Sequence, residues 1–540
     1  MDTSFTDRQV IFNFKTTLHF AALLFVFLIS DGLFAQVQNL DAITLFDRTT
    51  VGGTASSAGS GGAYSSVGGD ISSLSLNPAG LGLLKTSDIS ITPGLRIAND
   101  QSIYNGSSLN TSHSLLEFAQ AGAVFTKDFH KKSDQGSSPF GLKSITFGIN
   151  YQADNSFDRN QSFNYLNTSH SLIDNYVNYT NQGGQFPDAV LFNAANIMVM
   201  PAGSSQYYSN VKAPVQQKGT INTSGGIDNL GIGMGANLGD KLYIGFSLGI
   251  PIFNYSVNTQ VLETNANAND TVTHFQGYQF NSNVRESGEG VTGKVGLIYK
   301  PASWVRVGVS YVLPTWYFLT EEYNSSLIYS FDTMSQGPVE YDGSADLVHY
   351  RIRTPMKGIV GASFYLNENS FISADYEFQN LGSTHYSFTD PGFSSVGALA
   401  NSYLKTTYGY SHVLRTGIQG AIKKLRLRAG YSYTNSPFKS GQNYTTSQYN
   451  QAIQTATVGI GLRFKAFYID MAYVFTYSKD GISPNYMVPL DQINSTYMTH
   501  SVLLTLGVKI PAKGGNGSST QPKRRSGDQL PKNLDPDNKY

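Results

Sequence analysis

From residue 87 onward, apolar and polar residues alternate along much of the chain. Successive side chains of a β-strand point to opposite faces, so this alternation predicts strands with one apolar face. Residues 424–434 and 466–477 show the pattern, and so do residues 371–380. In 371–380 the apolar parity holds Ile372, Ala374, Tyr376 and Phe378, and the other parity holds Ser373, Asp375, Glu377 and Gln379. One face is therefore apolar and rich in aromatic residues, and the other carries full charges.

The pattern predicts 14 strands. Short turns containing Gly, Asn, Pro or Lys alternate with long polar connections, of which 154–225 is the longest. An even strand number with short turns at one end and long loops at the other is typical of outer-membrane barrels. The sequence therefore predicts an all-β fold, a 14-stranded antiparallel transmembrane β-barrel over residues 87–510. Its strands are 88–97, 113–126, 143–153, 226–238, 241–256, 287–300, 303–318, 345–366, 369–388, 410–422, 424–436, 454–465, 466–478 and 497–510.

Alternation alone does not say which face points outward, and a soluble all-β extracellular protein would place its apolar face inside. The charged residues on the polar face favour a barrel with lipid outside the apolar face. A single Arg on the lipid face near the midplane would destabilise the barrel by about 2–4 kcal/mol. The charges are therefore expected to line the lumen, either as a self-neutralising network that holds an N-terminal plug or as contacts to a ligand carboxylate. They are Arg351, Arg353, Lys357, Asp375, Glu377, Arg415, Arg426, Arg428 and Asp470.

Composition narrows the possible chemistry. The formal net charge is zero, so there is no electrostatic footprint for nucleic acid, and cysteine is absent, which excludes disulfides and thiolate sites. The nine histidines form no HExxH motif. The stretch GEGVTGKV (288–295) imitates a phosphate-binding loop, but Val295 replaces the Ser or Thr that would hold magnesium. We therefore expect no enzymatic activity, no cofactor and no metal site.

The two ends of the chain differ from the barrel region. Arg8 and Lys15 precede an apolar run at 18–30, which predicts a signal peptide over residues 1–35 with cleavage after Ala35. The alternative is a membrane anchor helix, although such a helix needs about 20 apolar residues. The polar, Pro/Gly-rich residues 511–540 predict a disordered periplasmic tail.

Between signal and barrel, residues 36–86 include a Gly/Ser-rich run at 52–70. A 14-stranded barrel is too wide for side chains alone to fill, so this segment is predicted to plug the lumen. Asn77 can cap a turn there, Pro78 presets its first dihedral, and Gly80 permits the bend into the first strand. The alternative is a disordered linker. Within 154–225, residues 171–179 and 186–200 predict short helices that cover the barrel mouth or pack only on their own loop.

The stretch GGAYSSVGGDISSLSLNPAGLGLL (61–84) resembles the N-terminal signature of the long-chain fatty acid outer-membrane transporter (FadL) family. Residues 295–315 and 374–378 are also similar to the family's strands. The chain departs from the family in its last strand, which ends at Ile510 where members have a terminal aromatic residue. The matching positions of the signature are Gly61, Gly62, Ala63, Asp70, Asn77, Pro78, Ala79, Gly80 and Leu81.

The resemblance implies a 14-stranded barrel plugged by an N-terminal hatch. It implies passive uptake of hydrophobic compounds such as long-chain fatty acids or aromatic hydrocarbons, with a pocket beneath the extracellular loops. It also implies a side exit at a distorted third strand, here 143–153. The expected partners are outer-membrane lipid and a hydrophobic small molecule in the lumen, with envelope proteins as a further possibility. The alternative function is a structural or partner-binding component of secretion or cell-surface assembly machinery.

Overall fold

The computed structural model describes residues 46, 50–104, 106–129, 140–182, 188–267, 274–332, 339–342, 346–389, 394–439, 451–482 and 493–510. The predicted signal peptide, residues 36–45 of the predicted plug and the predicted tail all lie outside the described residues. Within the described ranges, no helix has both the length and the apolar character needed to cross a membrane.

Fourteen strands form one closed antiparallel barrel, which confirms the predicted fold class. Each strand pairs with the next along the chain, and the last strand pairs with the first. The strands are β1 Ser87–Tyr104, β2 Ser107–Asp128, β3 Leu142–Ser156 with Arg159–Asn167, β4 Val215–Leu238, β5 Leu242–Asn265, β6 Phe275–Ala302, β7 Val305–Val312 with Trp316–Phe331, β8 Val339–Asp342 with Asp346–Arg353 and Lys357–Asn367, β9 Ser370–Asn380 with His385–Phe388, β10 Tyr410–Ile422, β11 Leu425–Thr434, β12 Ile453–Arg463, β13 Phe467–Ile482 and β14 Ile493–Ile510.

The apolar parity of the strands faces outward. Ile372 on β9 is 49% exposed, whereas Asp375 on the alternate parity is 2% exposed. The same contrast separates exposed Leu427 from buried Arg428 on β11. The barrel therefore carries an outer belt of apolar side chains that suits lipid, and it buries charged groups inside, as the transmembrane prediction requires.

The strands extend well beyond this belt. Strands β4 and β5 are 24 residues long and β6 is 28, whereas about 9–11 residues cross the bilayer. Much of the sequence predicted as long polar loops is thus strand, and β1 runs to Tyr104 while β2 begins at Ser107. The predicted loop boundaries there were wrong, because backbone pairing continues where the outward side chains are already polar and the alternation of apolar residues ends.

In the described part of the chain, five α-helices accompany the barrel. Helices α1 (Ala55–Gly59) and α2 (Ser73–Leu76) precede a 3-10 helix, Pro78–Leu83, in the N-terminal segment. Between β3 and β4 lie α3 (Leu172–Asn181), α4 (Ala189–Ala194) and a ribbon of Met198–Val199 paired with Tyr208–Ser209. Between β9 and β10 lies α5 (Ser394–Thr407), in a region predicted as loop. Helices α3 to α5 all lie at the end of the barrel that carries the longer connections, here called the long-loop end.

Neighbouring strands β7, β8 and β9 are interrupted at 313–315, 354–356 and 381–384. The first two interruptions bond to each other, because Thr354 N donates to Thr315 O (2.9 Å) and Thr315 N to Thr354 Oγ1 (3.0 Å). Each interruption exchanges the parity that faces outward. Lys357 therefore faces the lumen, whereas Arg351 and Arg353 are exposed on the outer surface. The prediction that these two arginines line the lumen was wrong, because it carried one parity through the break at residues 354–356.

Candidate functional site

Residues 50–86, here called the lumenal segment, lie within the bore. The segment bonds to inward-facing groups on strands spread around the barrel, which a single stretch of chain can reach only from inside. These bonds run from Ala55 N to Thr505 Oγ1 (2.8 Å), Gly61 N to Thr457 Oγ1 (3.0 Å), Ser65 N to Asp375 Oδ2 (2.8 Å) and Asn77 Nδ2 to Leu297 O (3.3 Å).

The segment touches the barrel wall backbone to backbone. Gly61 has a φ of +66°, and a Cβ added there would lie 2.7 Å from Thr416 O. Across the contact, a Cβ added to Gly430 on β11 would lie 2.2 Å from Gly61 N. Glycine is therefore required on both sides, for a left-handed backbone at Gly61 and for the close approach at both positions.

Polar side chains fix the turns of the lumenal segment. Thr54 caps α1 by accepting from Ser57 N, and Asn77 Oδ1 accepts from Ala79 N (3.1 Å) at the start of the 3-10 helix. Asp70 joins distant parts of the segment, because it accepts from Thr54 Oγ1 (2.9 Å) and from Ser72 N (2.8 Å). Burial raises the pKa of the Asp70 carboxyl above its ordinary value.

Three of the predicted lumenal charges meet beside the segment. Arg415 Nη2 lies 2.8 Å from Glu377 Oε2, and both side chains are buried. Lys357 Nζ lies 3.8 Å from the same carboxylate. Asp375, two residues before Glu377, accepts from Ser65 Oγ (2.7 Å) as well as from Ser65 N, so it holds the segment directly.

A second buried ion pair lies toward the short-turn end. Arg428 Nη1 is 2.8 Å from Asp470 Oδ1, and Arg463 Nη1 is 2.7 Å from Asp470 Oδ2. Arg426 does not join this group, because it donates to the carbonyls of Lys423 and Leu425 in the adjacent turn. The structure thus brings together most of the predicted charges, but as separate groups.

Sequence reasoning missed three cations at this site. Arg463 belongs to the ion pair just described, Lys294 Nζ donates to Ser75 O (2.9 Å), and Arg306 Nη1 donates to Val67 O (2.8 Å). The alternation along the strand could have placed Lys294 in the lumen, because Val295 and Leu297 face outward and Lys294 has the opposite parity. Among the described residues, no group of three or more His, Cys, Asp or Glu side chains could hold a metal ion.

A cavity of about 150 Å³ lies directly above the lumenal segment. The segment forms its floor with Ser72 and Leu76, and the walls carry Lys294, Lys357 and Arg415. Phe46 and Tyr317 also line it, with their ring centres 4.8 Å apart. A space of this size holds a body no larger than one aromatic ring. A longer solute would need the segment or the lining side chains to move.

Beyond this cavity, the long-loop half of the bore contains two large clusters of apolar side chains. A lower cluster includes Phe157, Phe253 and Tyr350 from the wall together with Leu404 of α5. An upper cluster joins wall residues to α3 and α4, and its larger members are Tyr176, Phe192, Tyr278, Phe280 and Leu327. Buried carboxylates lie among these clusters, and Tyr350 OH donates to Glu286 Oε2 (3.0 Å). Much of the interior of this half is nevertheless apolar, unlike the water-filled lumen of a porin.

Helices α3 and α4 are fixed to the barrel by carboxylates. Ser171 caps α3, and its hydroxyl donates to Glu263 on β5, which also accepts from Leu172 N (2.9 Å). Asp188 at the start of α4 accepts from the hydroxyls of Tyr323 and Ser325 on β7, both at 2.6 Å. The helix pair thus closes over the upper cluster.

The third strand leaves its regular course near this half. Its register with β4 shifts between Ala153 and Asn155, and it is interrupted between Ser156 and Arg159. Its pairing with β2 ends at Gln152. Arg159 then holds the upper part of the strand inside the barrel, because it lies 2.6 Å from Asp100 of β1 and is also ion-paired with Asp480 of β13.

These features define a closed transmembrane barrel whose bore holds an N-terminal segment at one end and stacked apolar clusters at the other. No protein-family model matches the chain, and no curated protein matches its sequence. Among solved structures it is similar to a FadL homologue from Pseudomonas aeruginosa, with 11% identity, a TM-score of 0.50, and coverage of 86% of this chain and 99% of that one.

Two toluene transporters are also similar in structure. TodX of Pseudomonas putida has 15% identity and a TM-score of 0.48, with 85% of this chain and 99% of that chain covered. TbuX of Ralstonia pickettii has 13% identity, a TM-score of 0.45 and the same coverage. The FadL homologue confirms the predicted resemblance at the level of the fold. At such identities the fold is all that the similarity shows.

Proposed function

We propose that this chain is an outer-membrane transporter of the FadL type, which lets hydrophobic compounds enter passively. The observation that carries the proposal is the pair of apolar clusters in the long-loop half of the bore, above a buried segment that closes the other half. A solute would gain about 25 cal/mol for each Å² of apolar surface that it buries there. No other energy source is needed for capture.

The candidate solutes are aromatic hydrocarbons and long-chain fatty acids. The small cavity above the lumenal segment fits one aromatic ring, which favours a hydrocarbon in this conformation. Lys294, Lys357 and Arg415 in its walls would attract a carboxylate. Substituting Lys357 with Met should therefore lower fatty acid uptake and leave toluene uptake unchanged.

The exit is proposed at the break in the third strand. There the strand leaves β2, and facing it on β4 the Gly225 backbone has a φ of +108°. The predicted position was 143–153, and the interruption at residues 157–158 lies just beyond it. A solute held in the lower cluster would reach lipid sideways here, because Phe157 belongs both to that cluster and to the break.

A disulfide between the lumenal segment and the wall tests the proposal. Ser65 Oγ and Asp375 Oδ1 are 2.7 Å apart, and the chain has no native cysteine, so Ser65→Cys with Asp375→Cys gives a single clean pair. We expect uptake to fall when the pair is oxidised and to recover on reduction. The single-cysteine variants serve as controls. Equal uptake in the oxidised and reduced states would show that the segment does not need to move. The fold gives no support to the alternative role in secretion or surface assembly.

A further inference from the structure

Two arginines stand on the outer surface of the barrel beside exposed aromatic rings. The Arg351 guanidinium lies 5.3 Å from the Phe318 ring centre, and the register pairs Arg353 with Trp316. Trp316 and Phe318 are 47% and 49% exposed. In the described part of the chain, neither guanidinium takes part in an ion pair. These four residues are called the arginine patch.

The patch lies at the edge of the apolar belt. Trp316 is paired with Val291, an exposed apolar residue. The next outward pair toward the long-loop end is Phe318 with Glu289, and Thr320 with Ser287 follows. This is the level at which lipid phosphates lie. An arginine at the belt edge costs little, and its planar fork binds phosphate through two parallel hydrogen bonds. Arg351 and Arg353 lie on one side of β7 and the exposed Glu289 lies on the other, so the two arginines still outnumber the carboxylate where an anionic head group would lie.

Farther from the belt, the outer surface becomes a row of asparagines. The register pairs Asn222 of β4 with Asn258 of β5, Asn258 with Asn283 of β6, and Asn283 with Asn324 of β7. All four have the outward parity of their strands, and Asn283 Nδ2 donates to Asn258 Oδ1. The next row holds Thr220, Gln260, Asn281 and Ser326, and both rows line a groove of about 730 Å³.

These rows consist of neutral groups that both donate and accept hydrogen bonds, as sugar hydroxyls do. Phe318 and Asn324 are six residues apart on one strand, which is about 20 Å at the usual rise. A phospholipid head group at the patch is too short to reach the asparagine row, whereas an oligosaccharide head group spans the distance. A neutral soluble sugar has no anionic group that could pair with the two arginines at the belt edge.

We propose that the outer face of β4–β8 binds a phosphorylated glycolipid of the surrounding leaflet. Its phosphate would lie on Arg351 and Arg353, and its sugars along the asparagine row. The proposal assigns the two arginines a role outside the bore. It does not depend on transport, and it would stand if the bore carried no solute.

Native mass spectrometry of the purified barrel tests this inference, with lipopolysaccharide as the probe and phosphatidylglycerol as competitor. We expect the wild type to retain lipopolysaccharide and Arg351→Gln with Arg353→Gln to bind it about tenfold more weakly. Lys127→Gln is the matched control, because Lys127 is an exposed cation 5.4 Å from the Phe129 ring centre at the short-turn end. This control should bind like the wild type.

A second pair of variants tests the sugar contacts. Asn258→Ala with Asn283→Ala should weaken binding of lipopolysaccharide with a full core and leave binding of lipid A unchanged. Both positions are on the outer surface, and faster migration of unheated samples on detergent gels verifies folding of every variant. Equal binding by the wild type and the double arginine variant would overturn the proposal. So would competition by phosphatidylglycerol at equal concentration, or equal loss in the Lys127 control.

Discussion

At the scale of single residues, the lumenal segment is held by a few polar anchors and by close backbone contact. The Asp375 carboxylate receives two hydrogen bonds from Ser65, and Gly61 fits against the carbonyl of Thr416. Most other residues of the segment are small, so few side chains can interlock with the wall. Each anchor should therefore have a measurable effect on how often the segment opens.

Substituting Asp375 with Asn should loosen the segment, because the charge-assisted bonds from Ser65 are lost or weakened. A loss of about 1–2 kcal/mol corresponds to a roughly tenfold rise in opening. The measurement is the rate of thiol labelling at Ser66→Cys, a buried position whose hydroxyl has no partner in the described structure. Glu377→Gln is the control, since Glu377 pairs with Arg415 of the wall. Equal labelling rates in both variants would contradict the anchoring role.

Gly61→Ala should displace the segment more strongly. The left-handed backbone costs an L-residue about 1–2 kcal/mol, and the new Cβ would meet the Thr416 carbonyl. We expect faster labelling of Ser66→Cys than in the wild type. Gly420→Ala on β10 is the matched control, because no atom lies within 4 Å of the added Cβ. If alanine at position 61 left the labelling rate unchanged, the close contact would be relaxed in solution.

At the scale of elements, the interruptions in β7, β8 and β9 decide which side chains face the bore. Residues 313–315 and 354–356 are bonded side by side, so both strands exchange faces at the same level. This exchange turns Tyr317 and Tyr350 inward, where they join the lower cluster. The same exchange turns Arg351 outward. The apolar bore and the arginine patch thus have one structural origin.

The helix pair α3–α4 depends on one apolar residue. Phe192 is fully buried among Tyr176, Tyr278 and Phe280, so Phe192→Ala should destabilise the α4 region by about 3–5 kcal/mol. Hydrogen exchange of residues 188–199 should rise while the barrel strands stay protected. Val190→Ala is the control, because Val190 is 72% exposed on the same helix. Unchanged protection in the Phe192 variant would mean that α4 is held by Asp188 alone.

At the scale of the whole molecule, the apolar belt determines how the barrel sits in lipid. On β4 the belt runs over Leu230, Ile232 and Met234, and the same outward parity becomes polar at Asp228 and stays free of large apolar residues as far as Asn222. The polar wall beyond the belt then stands in the head-group and water layers. The loss of folding free energy caused by a charged substitution should therefore depend on its position along the strand, and not on the residue type alone.

Met234→Arg should therefore destabilise the folded barrel in lipid vesicles by about 2–4 kcal/mol. Asn222→Arg, on the same face of the same strand, should cost less than about 1 kcal/mol. Equilibrium refolding followed by gel mobility of unheated samples gives both values. If the two substitutions had the same cost, the belt would not be the lipid-facing surface.

The sequence by itself determined the strand number, the antiparallel barrel and the identity of the outward face. These follow from a period of two, which is a local property of the chain, and from the high cost of charge in lipid. The same reasoning placed Asp375 and Glu377 inside, because their strand runs without a break through both residues.

Only the tertiary structure decided which charges meet and where the parity changes. Arg415 and Glu377 are far apart in sequence and come together through the register of β9 with β10. Register depends on pairing between distant strands, and a three-residue break such as 354–356 reverses every side chain beyond it. The outward position of Arg351 and the single asparagine row across four strands follow from that non-local pairing, which no pattern along one strand contains.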